Sequence, residues 1–428
     1  MTRLKRLDNG LKLGIVNLNS KRSFYVVFIV KAGSWWDLKG KAGVAHLVEH
    51  LVALNIERHI RASTGGEIVR FKTDDAIKIG DITSFKDYMV ELAKVFAIGK
   101  FSQEQLIKEK KIVLAEARQR LEKSRDTSNL DYLQPIQFKQ IYNYKQGQLA
   151  EAESIPRLNL KDIYRFYKKH YSPMGGYLFI GVPKGIETRS VEKVVKDVFS
   201  NSYPYYPHIS RLQNRRQALP PPRFGKNEIF LKKEPLRQVY LTFSFPMPTA
   251  LIKDASTPFL RELLFNRLGE LDGEFMSYLR GDLGLIYTCK VSDVVYTTHP
   301  EKKLTLAITT YFDEKDVLLF LKHFPLALKR FIDNPIREEE LVKYRNRTLD
   351  DLKYSGRYVF DTACYYLFNF GQVPDIEKLV KNITVGKVKR FTKKILNLNT
   401  ASIAIVGKVG GLNKGVISRL VFDIPPQI

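Results

Sequence analysis

The sequence predicts an α+β chain built from two related halves. Three observations carry this: strand and helix patterns mixed through both halves, a proline-rich break near mid-chain, and a helix-to-strand segment that recurs late in the chain. In the first half, residues 11–16 and 24–31 alternate or run apolar as strands, with Asp8-Asn9-Gly10 as the turn before the first. Gly43 precedes an apolar helical run over 44–54, and residues 86–96 and 104–121 carry helical periodicity. In the second half, 228–231, 239–245 and 304–311 read as strands. Residues 257–268, 317–331 and 338–352 read as helices, the middle one interrupted by Pro325.

The break runs over residues 211–226 and holds Pro220-Pro221-Pro222, three residues without an amide donor that favour extended backbone. It divides the chain into residues 1–212, a linker at 213–226, and residues 227–428. The recurrence is specific. Arg165, Phe166, Lys168 and Lys169 match Arg390, Phe391, Lys393 and Lys394 at one constant offset. Each helix is followed by a break, at Ser172-Pro173 or Asn397–Asn399, and then by an apolar strand ending at Gly181 or Gly407.

Composition narrows the class. With 428 residues, 44% hydrophobic and 27% charged, the chain can form ordinary globular cores. No stretch approaches the roughly 20 apolar residues of a membrane helix, so no membrane partner is expected. The basic start, Met1 to Leu7, is interrupted by Asp8-Asn9-Gly10 and lacks the apolar core of a secretion signal. Two cysteines, Cys289 and Cys364, are too few for a disulfide framework, which makes the cytoplasm the expected compartment. Lys and Arg outnumber Asp and Glu by 70 to 45, a net +25. The lysines are dispersed, with no zinc finger, basic repeat or RNA-binding aromatic motif. The charge therefore speaks to solubility and encounter, and no nucleic-acid partner is expected.

The chemistry-bearing motif is His46-Leu47-Val48-Glu49-His50, on the helix that follows Gly43. At 3.6 residues per turn both imidazoles and the carboxylate project from one face. Two such imidazoles can hold one zinc ion, and the carboxylate can take a proton from a metal-activated water. Histidine is scarce, seven in the chain, so this spacing is informative. The apolar neighbours Val44, Leu47, Val48 and Leu51 predict a buried helix, whose polar groups need a partner. A third ligand is expected from elsewhere. Glu109 and Glu116 lie two turns apart on one helix face, and Glu116 follows the apolar run 112–115. Spacing alone leaves open that both are solvated charges.

At these residues the sequence resembles the pitrilysin/insulinase family of zinc metallopeptidases, in Val30-Lys31-Ala32-Gly33-Ser34 and in Gly43 to Leu51. The resemblance implies His46, His50 and Glu116 as ligands of one Zn2+ per chain, Glu49 as the general base, and Glu109 as a carboxylate supporting a ligand. A second similar segment, Leu279-Arg280-Gly281-Asp282-Leu283-Gly284-Leu285-Ile286-Tyr287, implies that Arg280 and Tyr287 contact substrate and steady the tetrahedral intermediate. Half-size members have two α/β-sandwich halves, antiparallel sheets flanked by helices, and pair as a clamshell around a chamber. Arg280 and Tyr287 would then come from the partner subunit. A homodimer with composite sites is expected, with a heterodimer of related subunits as the alternative.

Two departures from the family's pattern stand out. The interval from His50 to Glu116 is short, as if a helix were trimmed around residues 57–63. The substrate-binding edge strand, normally Gly-Gly, two residues, Asn-Ala, is expected at Gly65-Gly66-Glu67-Ile68 and continues into Val69-Arg70. The function expected from all this is zinc-dependent endopeptidase action on peptides or small unfolded segments. The alternative is a non-catalytic binding or assembly subunit.

Overall fold

The structure is a computed structural model. It describes residues 2–19, 23–37, 40–56, 60–65, 68–73, 79–98, 100–127, 148–202, 227–271, 273–296 and 303–423. The chain forms two compact units, Met1–Gln119 with Gln146–Ala218 and Arg347–Ile376, and Arg120–Lys145 with Leu219–Asn346 and Glu377–Ile428. The expected linker at 213–226 lies outside the described residues.

The first sheet contains β1 (Lys5–Arg6), β2 (Lys12–Asn17), β3 (Tyr25–Val30), β4 (Ile60–Thr64), β5 (Val69–Thr73) and β6 (Gly176–Val182), in the order β1-β2-β6-β3-β5-β4. Only β2 and β6 run parallel; β1, β3, β5 and β4 pair antiparallel with their neighbours. One face carries α1 (Val44–Ala53), α2 (Ile82–Ala93), α3 (Gln103–Thr127), α4 (Gln148–Ser154), α5 (Leu160–His170) and α6 (Thr188–Ser202). Phe28, Phe71, Leu47, Val48, Leu51, Phe85 and Phe199 meet in the core beneath these helices.

The second sheet contains β7 (Ile229–Lys233), β8 (Val239–Met247), β9 (Cys289–Tyr296), β10 (Lys303–Phe312) and β11 (Ser402–Gly407), ordered β7-β11-β8-β10-β9. It repeats the first sheet's pattern, with one parallel pair, β7 and β11, and antiparallel pairs elsewhere. The helices named here are α7 (Thr257–Gly269), α8 (Val317–Asp333), α9 (Glu338–Tyr354), α10 (Gly356–Phe370), α11 (Val385–Ile395) and α12 (Lys414–Val421). The sequence repeat is structural: α5 into β6 and α11 into β11 are the same helix-to-strand step. Both helices begin on a side-chain cap, Asn159 accepting from Asp162 N and Thr384 from Lys387 N.

Two findings depart from the sequence reading. The helix α10 follows the linker in sequence, yet it packs with the first unit. Phe360, Ala363 and Leu367 cover Val16, Leu18, Val27, Ile29 and Phe179 on the sheet face away from α1. At this contact Gly14 has no room for a methyl group, since a Cβ would fall 2.6 Å from Leu367 Cδ1. The second finding corrects the edge strand. Between the end of β4 and the start of β5, Gly65 N donates to Ile68 O at 2.8 Å. Val69–Thr73 is an interior strand between β3 and β4. The edge strand is Ile60–Thr64, which carries Arg61-Ala62, so the Val69-Arg70 segment expected at the edge lies one strand inside it. The glycine at 65 that suggested the start of a strand serves the turn instead.

Helix α8 runs through Pro325 unbroken. An interior proline costs a helix about 3 kcal/mol. Burial of Phe320, Leu321, Phe324 and Leu328 offsets this, with the Phe324 ring stacked on Phe243 at 3.6 Å and 2°. Among the described residues no helix is long and apolar enough to cross a membrane.

His170, the last residue of α5, is buried between Phe166 and Trp36, with ring centroids at 4.5 and 5.4 Å. Burial, aided by Lys169, lowers its pKa from 6.5 to about 3. Because the folded pKa lies below the unfolded value, stability is lost as pH falls below 6.5, and the loss saturates near pH 3. The full shift corresponds to about 4–5 kcal/mol as an upper bound. Urea titrations at several pH values are expected to show this acid slope in the wild type. His170→Gln should show less of it, and identical slopes would refute the assignment.

Candidate metal centre

The site is built on α1, a helix buried almost all round. Val44, Ala45, Leu47, Val48, Leu51 and Val52 are buried with it, and so are His46 and Glu49. Its start is fixed by two devices. Gly43 sits at φ +85°, a left-handed conformation that suits glycine, and a Cβ there would fall 2.9 Å from Ile155 Cγ1 and 3.2 Å from Glu151 Cγ. Asp37, buried in the preceding loop, accepts from Gly43 N at 2.7 Å and Ala45 N at 2.9 Å. It thereby satisfies amides that open the helix. Burial holds the Asp37 carboxyl well above the usual carboxylate range, and the charge of Glu151 adds to that.

The two imidazoles stand on successive turns, with ring centroids 5.0 Å apart. Helix α3 brings both predicted carboxylates to them. Glu116 Oε2 lies 3.5 Å from His46 Nε2, and Glu116 Oε1 lies 3.7 Å from His50 Nε2. Glu109 Oε2 lies 3.0 Å from His50 Nδ1, within hydrogen-bond distance. The burial of the pair reverses the sequence expectation. Glu109 is buried in the seam of Leu106, Val113 and Ala117, whereas the Glu116 side chain is 39% exposed and Ile112 faces outward. Glu49 Oε2 accepts from Thr64 Oγ1 at 2.9 Å, which ties the general-base candidate to the end of the edge strand.

These residues fit a zinc ion. Ligand atoms about 2.0–2.2 Å from a tetrahedral ion stand roughly 3.3–3.6 Å from one another. The Nε2–carboxylate separations of 3.5 and 3.7 Å lie within and just beyond that spacing and are too long for hydrogen bonds. One potential ligand atom from each of His46, Glu49 and His50 also lies within 4.8 Å of the others. Glu116 is the better candidate for a third ligand, because both Nε2 atoms converge on its carboxylate and Thr64 already occupies one Glu49 oxygen.

Asp37, Thr64 and Glu151 were not singled out by the sequence reading, and no local spacing ties them to the motif. Glu151, on α4, lies with Oε2 3.6 Å from His46 Nδ1. Tyr171 is a further buried neighbour. Its phenol is held neutral by burial, reinforced by the negative charge of Glu49.

Arg280 and Tyr287 belong to the second unit. Arg280 lies on a single π-helical stretch, Ser277–Asp282, of the kind often found at functional sites. Tyr287 follows it, 69% exposed, and the Arg280 guanidinium stacks over its ring at 5.0 Å. The structure therefore places these two side chains together on the surface of that unit.

Two related α+β halves with an inverted His-x-x-Glu-His helix define a metallopeptidase-type chain. Comparisons with known proteins agree. The family described as "Peptidase M16 inactive domain" matches residues 157–348. An uncharacterised zinc protease of Rickettsia bellii is 21% identical over 94% of this chain and 97% of its own length. A protease structure from Helicobacter pylori matches with TM-score 0.71 and 18% identity over 95% of this chain and 99% of that one. The structure of a peptidase M16 inactive domain from Pseudomonas fluorescens matches with TM-score 0.73 and 17% identity over 95% of this chain and 98% of that one. The family match and the zinc-protease relative support the pitrilysin/insulinase-like, or M16, family for this chain, and the two structures share its fold. The family match covers Arg280 and Tyr287 and does not reach His46, Glu49, His50, Glu109 or Glu116.

Proposed function

We propose that this chain is a zinc-dependent endopeptidase acting on peptides or small unfolded segments. The observation that carries the reading is the convergence of both Nε2 atoms on the Glu116 carboxylate, with Glu49 beside them. His46, His50 and Glu116 would hold one zinc ion per chain, and Glu109 orients His50. Zinc bound there would supply Lewis acidity, lowering the pKa of a water and polarising a peptide carbonyl. Glu49 takes a proton from the attacking water and delivers it to the leaving amine. Thr64 fixes one Glu49 oxygen, leaving the other to carry that proton.

Substrate binding is assigned to β4. An extended peptide can add to this edge strand through backbone hydrogen bonds, beside the helix that carries Glu49. Arg61 points outward from β4 and stands directly opposite Lys72 on β5, so a strand added there meets positive side chains. Arg280 and Tyr287 are assigned to the developing oxyanion and are supplied by the partner subunit of a homodimer. The free thiols Cys289 and Cys364 fit a reducing, cytoplasmic compartment.

A non-catalytic assembly subunit is the second reading, and the "inactive domain" description of residues 157–348 favours it. That segment begins beyond the metal helix and beyond Glu116, so it bears on the substrate-side half of the site rather than on the zinc ligands.

Three outcomes are expected. Glu49→Gln should retain zinc while peptide cleavage falls by about 10²–10⁴-fold; undiminished cleavage would remove Glu49 as the base, and zinc bound by an inactive wild type would promote the assembly reading. Arg280→Ala should lower kcat by about 10²–10³-fold. Mixing that variant with Glu49→Gln should restore activity through dimers that combine one intact Glu49 with the other chain's Arg280, and no recovery on subunit exchange would argue against a site shared across chains. Finally, acidic peptides should be cleaved faster than matched basic ones, a preference that Arg61→Glu should invert; equal rates would dispose of it.

A further inference from the structure

Glu109 alone among the expected residues supports a metal ligand through its second ring nitrogen, and it serves only His50. The corresponding position behind His46 is filled by Glu151. This residue lies on α4, reached only after the long segment that follows α3. Its side chain is 12% exposed, and its Oε2 lies 3.6 Å from His46 Nδ1. That oxygen is sealed from solvent and accepts no hydrogen bond among the described residues. A buried carboxylate oxygen left so is costly unless a donor is meant for it.

The surroundings hold Glu151 in this place. Gly43 keeps the entry to α1 open for it, because a Cβ there would meet Glu151 Cγ at 3.2 Å. Ser154 Oγ, on the same helix, donates to Gly40 O at 3.1 Å in the loop before α1. Lys110 Nζ on α3 donates to Pro156 O at 3.0 Å just beyond α4. Helix α4 is thus tied both to the helix bearing Glu109 and Glu116 and to the loop that starts the metal helix.

We infer that Glu151 is a positioning residue for His46, resting on the proposed zinc site. Its carboxylate faces Nδ1 of His46 at 3.6 Å, and by closing that gap it would accept the Nδ1–H, which fixes the tautomer with the Nε2 lone pair directed at the ion. Each ligand imidazole then has its own carboxylate, Glu109 for His50 and Glu151 for His46. The two come from different helices, so the ring orientations are set independently of each other and of the turn of α1.

The test is zinc affinity, measured on the whole chain by competition with a chromophoric chelator, together with the visible spectrum after cobalt substitution. Glu151→Ala should weaken zinc binding by about 10–100-fold and change the cobalt spectrum. Glu151→Gln keeps the shape and an accepting carbonyl, and should hold zinc more tightly than the alanine variant. Thermal melts of the zinc-free proteins separate a folding defect from a site defect. Alanine and glutamine variants that melt alike but differ in affinity support the role. An alanine variant binding zinc as tightly as wild type overturns this inference alone. A glutamine variant no better than a correctly folded alanine variant also overturns it. A wild type that binds no zinc overturns the metal reading beneath it as well.

Discussion

The structure turns on one constraint: α1 is buried almost all round, yet it carries two imidazoles and a carboxylate. Polar groups moved out of water cost several kcal/mol unless something replaces their hydration. The replacement comes from elements far apart in the chain. Asp37 meets the helix amides, Thr64 meets Glu49, Glu109 meets His50, and Glu151 lies against His46. The apolar residues of the same helix, Leu47, Val48 and Leu51, lock into the core under the first sheet. The motif therefore cannot swing toward its partners, and the partners must be delivered to it.

The sheet does the delivering. Placing β4 at the edge and β5 inside it brings Thr64 to Glu49 while leaving one backbone edge of the sheet beside the metal helix. The second sheet repeats the same strand order and the same single parallel pair without a metal motif. What the two halves share is the helix-to-strand step of α5 into β6 and α11 into β11. They differ in what connects a central strand to the edge strand, β3 to β4 in the first sheet and β8 to β9 in the second. In the first unit that connection is the metal helix, and in the second it includes the π-helical stretch with Arg280. One scaffold thus carries two different chemical inserts.

How much of this was readable in the sequence follows from the range of each interaction. The His46–Glu49–His50 face and the Glu109/Glu116 pair are set by helical periodicity, so local spacing reveals them. The two halves were visible because α5 and α11 keep the same basic and aromatic residues. The edge strand was misplaced because Gly65 reads equally as the start of a strand or as a turn, and only the pairing of Ile60–Thr64 with Val69–Thr73 decides. The return of α10 to the first sheet depends on apolar contacts with β2, β3 and β6 that no local pattern encodes. Asp37 and Glu151 were missed for the same reason, being joined to α1 through space. Arg280, half-buried, and Tyr287, exposed, carry no distinctive period and were reached through resemblance alone.

The choice between a peptidase and a purely structural subunit comes down to spacing. A packing site that needed only buried polar networks would close them to hydrogen-bond length, as Glu109 does on His50 at 3.0 Å and Thr64 on Glu49 at 2.9 Å. The contacts that point inward, from both Nε2 atoms to Glu116, stop at 3.5 and 3.7 Å. Two outer contacts drawn tight beside inner ones held open suit a cage for a small cation, since the ion must sit between the ligand atoms; the outer contact of Glu151 with His46 Nδ1, at 3.6 Å, is the exception. If burial alone mattered, apolar side chains of similar volume would stabilise α1 at least as well as imidazoles and carboxylates. The geometry of the first unit therefore favours an ion-binding centre, and the segment described as inactive, residues 157–348, contributes none of its proposed ligands.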